Sequence, residues 1–159
     1  MPQLVKGGKY VFGWTNINID LRIRIPDETF DEYKFIETDR LIIISGSRAS
    51  GGFSISSPYS IINSKFGYNI IKALGYIKKS DLFTVKKLKA VKHGKRWLSW
   101  TYLDKEKYFK LSDELINTMD RGAGSKLLVI RGSGTGPAFI TKGRIYNEAL
   151  NHKNIIEFC

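Results

Sequence analysis

The feature that most constrains this chain is that it repeats itself. With an offset of 86, residues 92–141 lie on residues 6–55 without a gap, and twelve of the fifty aligned positions are identical. Unrelated segments of ordinary composition would share about three. The matches fall on distinctive residues: Gly8/Gly94, Trp14/Trp100, the Asp-Glu pairs at 27–28 and 113–114, Leu41/Leu127, the Gly-Ser pairs at 46–47 and 132–133, and Phe53/Phe139. The expectation is two homologous halves sharing one core, with residues 1–80 and 81–159 as the repeat units.

Both copies run in the same local order. Leu21, Ile23 and Ile25 alternate with Arg22 and Arg24, and Phe109 and Leu111 alternate with Tyr108 and Lys110, as half-buried strands require. A helical start follows each strand. Pro26 suits a first helical position, Ser112 suits an N-cap, and the Asp-Glu pair after each meets the positive end of the helix dipole. Each copy then gives an apolar run, Leu41–Ile44 or Leu127–Ile130, a Gly/Ser-rich reversal and the aligned phenylalanine, which reads as a hairpin with a wide turn. Helices are expected within Pro58–Ser80 and over Arg144–Leu150, and the apolar tail 154–159 is expected to be able to add a strand to a second copy.

The chain is long enough, at 159 residues, to fold without cross-links. Its one cysteine, Cys159, excludes an internal disulfide framework and a cysteine-based zinc site, which suits a reducing cytoplasm. No apolar run approaches the roughly 20 residues of a membrane span, and residues 1–10 carry no signal-peptide apolar segment, so neither membrane insertion nor secretion is expected. The net charge is +11. Residues 76–110 hold eleven basic against three acidic groups, whereas residues 1–55 balance seven against seven. Charge concentrated in this way favours a polyanionic partner.

The order strand, Ile-Pro, short helix, turn and apolar strand in LRIRIPDETFDEYKFIETDRLIII, residues 21–44, resembles the SpoVT/AbrB family of swapped-hairpin DNA-binding domains. In that family two copies of one short unit, usually from two chains, exchange hairpins to close a small β-barrel. The resemblance therefore implies a β-rich α+β fold with short peripheral helices, in which one polypeptide forms an intrachain pseudo-dimer. Leu21 and Lys107 stand where the family usually has glycine. Phe30 and Asp31, with Ile116 and Asn117 in the second copy, stand where DNA-binding members often carry basic residues, so only Arg22 carries over as a family DNA contact.

Two groups of candidate residues follow. For DNA, Arg22, Arg24 and Lys110 share one face of a strand pair, with Arg48 nearby, and Lys86, Lys87, Lys89, Lys92, Lys95 and Arg96 form the basic cluster that would hold phosphates. For a small ligand or nucleotide, the equivalent loops 45–53 and 131–139 offer Ser47, Gly51, Arg131, Ser133 and Gly134, since glycine-rich turns can aim successive amides at an anion. The same glycines also serve turns that need positive φ. Trp14 and Trp100 read as core, and His93 and His152 have no metal-ligand spacing. Without a nucleophile–base pair or metal set, the expected function is non-enzymatic and cofactor-free: a DNA-binding, AbrB-like transcriptional regulator, with ligand binding at the Gly/Ser loops as the alternative.

Overall fold

The computed structural model describes residues 4–64, 69, 72, 91–119, 121–132 and 136–159. The two apolar runs become β3 (Arg40–Ser45) and β8 (Lys126–Ile130), and their near-continuous burial marks central strands. The aligned tryptophans sit in β1 (Val11–Asn16) and β6 (Arg96–Tyr102), and the aligned phenylalanines in β4 (Phe53–Ser56) and β9 (Ala138–Ile140). With the edge strands β5 (Val91–His93) and β10 (Glu157–Phe158), these form one mixed eight-stranded sheet in the order β10-β1-β8-β9-β4-β3-β6-β5. The fold is α+β and strand-rich.

Leaving out the two edges, that order is unchanged in kind when each strand is replaced by its counterpart at offset 86. Each first strand pairs with the third strand of the other copy: β1 lies on β8 with Trp14 opposite Leu128, and β6 lies on β3 with Trp100 opposite Ile42. Equivalent residues meet twice. Phe53 faces Phe139 where β4 pairs with β9, and their rings stack at 5.0 Å. Ile23 faces Phe109 where β2 (Arg22–Arg24) and β7 (Tyr108–Lys110) form a separate two-stranded ribbon. The ribbon is prolonged symmetrically, with Ile25 N donating to Lys107 O at 2.8 Å and Leu111 N donating to Leu21 O at 3.3 Å.

The expected closed barrel does not form among the described residues, because the sheet ends in two edges, β10 and β5. Each takes the outer side of a first strand, and β2 and β7 pair with each other instead of bridging the edges. The tail, apolar enough to add a strand to a second copy, pairs within its own chain. Trp14 N donates to Ile156 O at 2.8 Å, β10 runs parallel to β1, and Ile155 is buried. Gly13 makes this possible, since a Cβ there would lie 2.7 Å from Ile156 O and 2.9 Å from the Phe158 ring.

Two apolar clusters cover the two sheet faces. The larger joins Ile23, Phe35, Leu41, Ile43, Phe53, Phe109, Leu127 and Phe139, so the ribbon packs onto the sheet across residues from both copies. The smaller holds Val11, Trp14, Leu128 and Ile155 beneath the helix Arg144–Leu150, whose Tyr146 meets Trp14 edge to face. Trp14 and Trp100 are both buried, Trp14 in this second cluster rather than at the meeting of the phenylalanines.

The other helices are short. α1 (Asp27–Glu32) and α3 (Asp113–Met119) are the equivalent pair, α2 (Pro58–Ile62) follows β4, and Arg144–Leu150 is α4. Ser112 Oγ accepts from Leu115 N at 3.3 Å, as its N-cap role requires. Pro26 stands one place earlier than expected, as the extended cap residue before α1. Ser57 caps α2 by accepting from Ser60 N. Most of the helical stretch expected within 58–80, and the repeat boundary near residue 80, lie outside the described residues.

Candidate anion-binding site

The DNA candidates separate into two places. β6 enters beside Ser45, where Arg96 Nη1 donates to Ser45 O at 2.8 Å, and leaves at Tyr102 opposite Arg40. Because β4 and β9 are antiparallel, the 45–53 loop lies at one end of the sheet and the 131–139 turn at the opposite end, and the β2–β7 ribbon packs over Phe53 and Phe139 between them. On the ribbon, Arg22 pairs with Asp104 at 2.7 Å and Arg24 with Asp27 at 2.9 Å, while Lys107 reaches Asp27 at 2.8 Å. The Lys107 hydrogen bond and the Arg24 guanidinium hold the Asp27 carboxyl below its ordinary value. Lys110 stands exposed opposite Arg22. The ribbon arginines are thus already matched by carboxylates, and Arg22 also lies over the Tyr108 ring.

At the end that holds the 45–53 loop the balance differs. Arg48, Lys95, Arg121 and Lys142 line one cleft of about 310 Å³ together with Ser47, Thr118 and Thr141, and no carboxylate is among its described lining residues. Among the described residues, none of these four cations has an ion pair. Among the described residues, Arg121 makes a long hydrogen bond from Nη2 to Thr141 O at 3.4 Å. Packing like charges without a counter-ion is electrostatically unfavourable, and a bound anion would relieve it.

The loop that walls this cleft is fixed by both copies. Gly46 N donates to Gly52 O and Gly51 N to Ser47 O, both at 2.8 Å, while Thr141 N and Lys142 N from the second copy converge on Ser50 O. Gly51 has φ of +63°, and a Cβ on it would collide with the Thr141 hydroxyl. Its glycine is therefore required by backbone shape and close approach, whatever else the loop does. Across the same loop lies a second cleft of about 440 Å³, with Arg96 at its rim and Ile44, Phe53, Ala138 and Ile140 among its walls.

Of the ligand-binding candidates, Ser47 and Gly51 line both clefts. Arg131 does not: its guanidinium is paired through Nε and Nη2 to Glu32 and lies over the Tyr10 ring, and the Glu32 hydrogen bond raises its pKa. Arg48, Lys95 and Arg96 from the DNA group gather at the clefts, and Lys92 stands exposed on β5. Lys86, Lys87, Lys89, Ser133 and Gly134 lie outside the described residues. Sequence reading missed Arg121, Lys142, Thr118 and Thr141. Lys142 and Arg121 are not in a charge run, and only the return of β9 and the end of α3 bring them to the loop.

The chain matches no protein-family model and no curated protein. No helix among the described residues is long and apolar enough to cross a membrane.

Proposed function

We propose that this protein is a non-enzymatic, cytoplasmic DNA-binding protein, an AbrB-like regulator in which an intrachain pseudo-dimer replaces two chains. The observation that carries the DNA-binding reading is the gathering of Arg48, Lys95, Arg121 and Lys142 at one end of the sheet, with no carboxylate among the described lining residues. Lys92 and Arg96 stand on the adjoining strands, and the basic cluster Lys86–Lys89 precedes them directly in the chain. Such a surface holds the phosphate backbone, so affinity comes from counterion release and depends little on sequence.

The family half of the proposal draws support from the backbone. Leu21 and Lys107 have φ of +65° and +75°, the left-handed region that favours glycine, and they are the two positions where the SpoVT/AbrB pattern has glycine. The crossed pairing of β1 with β8 and of β6 with β3 agrees with exchanged hairpins.

Fluorescence anisotropy of a labelled mixed-sequence duplex tests the function. Binding is expected at 50 mM salt, falling about a hundredfold or more at 200 mM salt as several phosphate contacts are lost. The double variant Arg48→Ala/Lys142→Ala should weaken it and flatten the salt slope. No binding at 50 mM salt would sink the proposal.

A further inference from the structure

The duplication supplies an internal control for the cationic cleft. Thr118 at the end of α3 is the counterpart of Glu32 at the end of α1, Ser45 is the counterpart of Arg131, and Arg96 is the counterpart of Tyr10. In the first of these two places Glu32 and Arg131 neutralise each other, and Tyr10 and Phe12 cover the guanidinium. Among the described residues, that place is filled and electrically closed. In the second, the counterpart of that carboxylate is the Thr118 hydroxyl, and Arg48, Lys95, Arg121 and Lys142 line the space with no acid among the described lining residues.

We infer that the second place is a discrete site for one phosphate group, and that only one of the two equivalent ends of the molecule carries it. Guanidinium and ammonium donors supply charge, with Arg48 and Arg121 suited to two-pronged contacts on phosphate oxygens. Ser47, whose hydroxyl meets Ser50 Oγ at 3.0 Å, adds a polar neutral group to the lining, as does Thr118, whose hydroxyl donates to Glu114 O at 2.8 Å and leaves its oxygen lone pairs toward solvent. The volume of about 310 Å³ suits a phosphate or pyrophosphate group. The chemistry is shared by a DNA phosphodiester and a free phosphoester. The inference deepens the DNA-binding reading and rests on it only if DNA is the source.

Thr118 gives the cleanest test because it is exposed on a helix and its replacement leaves the core alone. Pyrophosphate is titrated into the full chain by calorimetry, with amide chemical shifts of Ser47, Thr118 and Lys142 followed in parallel. One-to-one saturable binding with shifts at those amides is expected. Thr118→Glu restores the carboxylate of the closed end and should weaken binding about tenfold or more, whereas Thr118→Gln, neutral and similar in size, should retain it. Absence of saturable binding, a stoichiometry of two, or equal binding by Thr118→Glu in a folded protein would overturn the inference. The labelled duplex then separates the sources. If Thr118→Glu weakens duplex and pyrophosphate binding together, the phosphate belongs to DNA. If duplex affinity is unchanged while pyrophosphate binding is lost, the site serves a free phosphoester and the DNA role of this cleft fails while the site stands.

Discussion

At the scale of single residues, the left-handed positions 21 and 107 carry more information than any charged side chain. Lys107 has φ of +75° and yet is not glycine. An L-residue there costs roughly 1–2 kcal/mol in backbone strain, set against its contacts with Asp27 and the Phe30 ring. Lys107→Gly and Lys107→Val both remove those contacts, so their difference isolates the backbone: glycine should be the more stable by about 1–2 kcal/mol in urea denaturation, the reverse of the usual strand preference. A valine variant as stable as the glycine variant would contradict the assigned geometry. Asp27 makes a second prediction. Its folded pKa is lowered by the Lys107 hydrogen bond, so its contribution is fully present above the ordinary carboxylate range and is lost as pH falls through that range to the lower folded value. Asp27→Asn should therefore flatten the acid side of the stability profile and leave neutral-pH dependence unchanged. Arg22 and Arg24 were legible as a shared face, and the Arg24–Asp27 pair is local, but the Arg22–Asp104 pair was not legible because its partners lie 82 residues apart.

At the scale of elements, the sequence marked where strands begin and end but not which strand each would pair with. The alternation in Leu21–Ile25 and the apolar runs ending at Ile44 and Ile130 reflect local burial, and they became β2, β3 and β8. The tail shows the other side of this. Its apolar residues fit an edge in a second copy or in its own sheet equally well, and the open side of β1 next to side-chain-free Gly13 decided the matter. Gly13→Ala should release β10, speeding hydrogen exchange of the Trp14 amide about tenfold or more while the central strands keep their protection. Unchanged exchange at Trp14 would rule out this role for Gly13. The stacked pair Phe53 and Phe139, both essentially inaccessible, ties the two copies at the centre of the sheet. Phe139→Ala should cost about 3–5 kcal/mol in chemical denaturation.

At the scale of the whole molecule, neither copy completes a sheet by itself. β1 depends on β8 and β6 on β3, so a fragment comprising residues 1–90 is expected to order only by pairing with a second fragment. Sedimentation should find a dimer or an unfolded chain, and a folded monomer would contradict the crossed pairing. The same crossing builds the anion cleft, whose loop comes from the first copy and whose Thr141 and Lys142 come from the second. The sequence by itself determined the duplication, the alternation that makes strands, the helix starts and the excess of positive charge, because each is written in local spacing or composition. The pairing of distant strands decided that the sheet stays open, that Arg22 meets Asp104, and that Arg48, Lys95, Arg121 and Lys142 line one cleft with no carboxylate among its described lining residues. Those outcomes depend on which distant strands exchange partners, and long-range pairing leaves no periodic trace in a single chain.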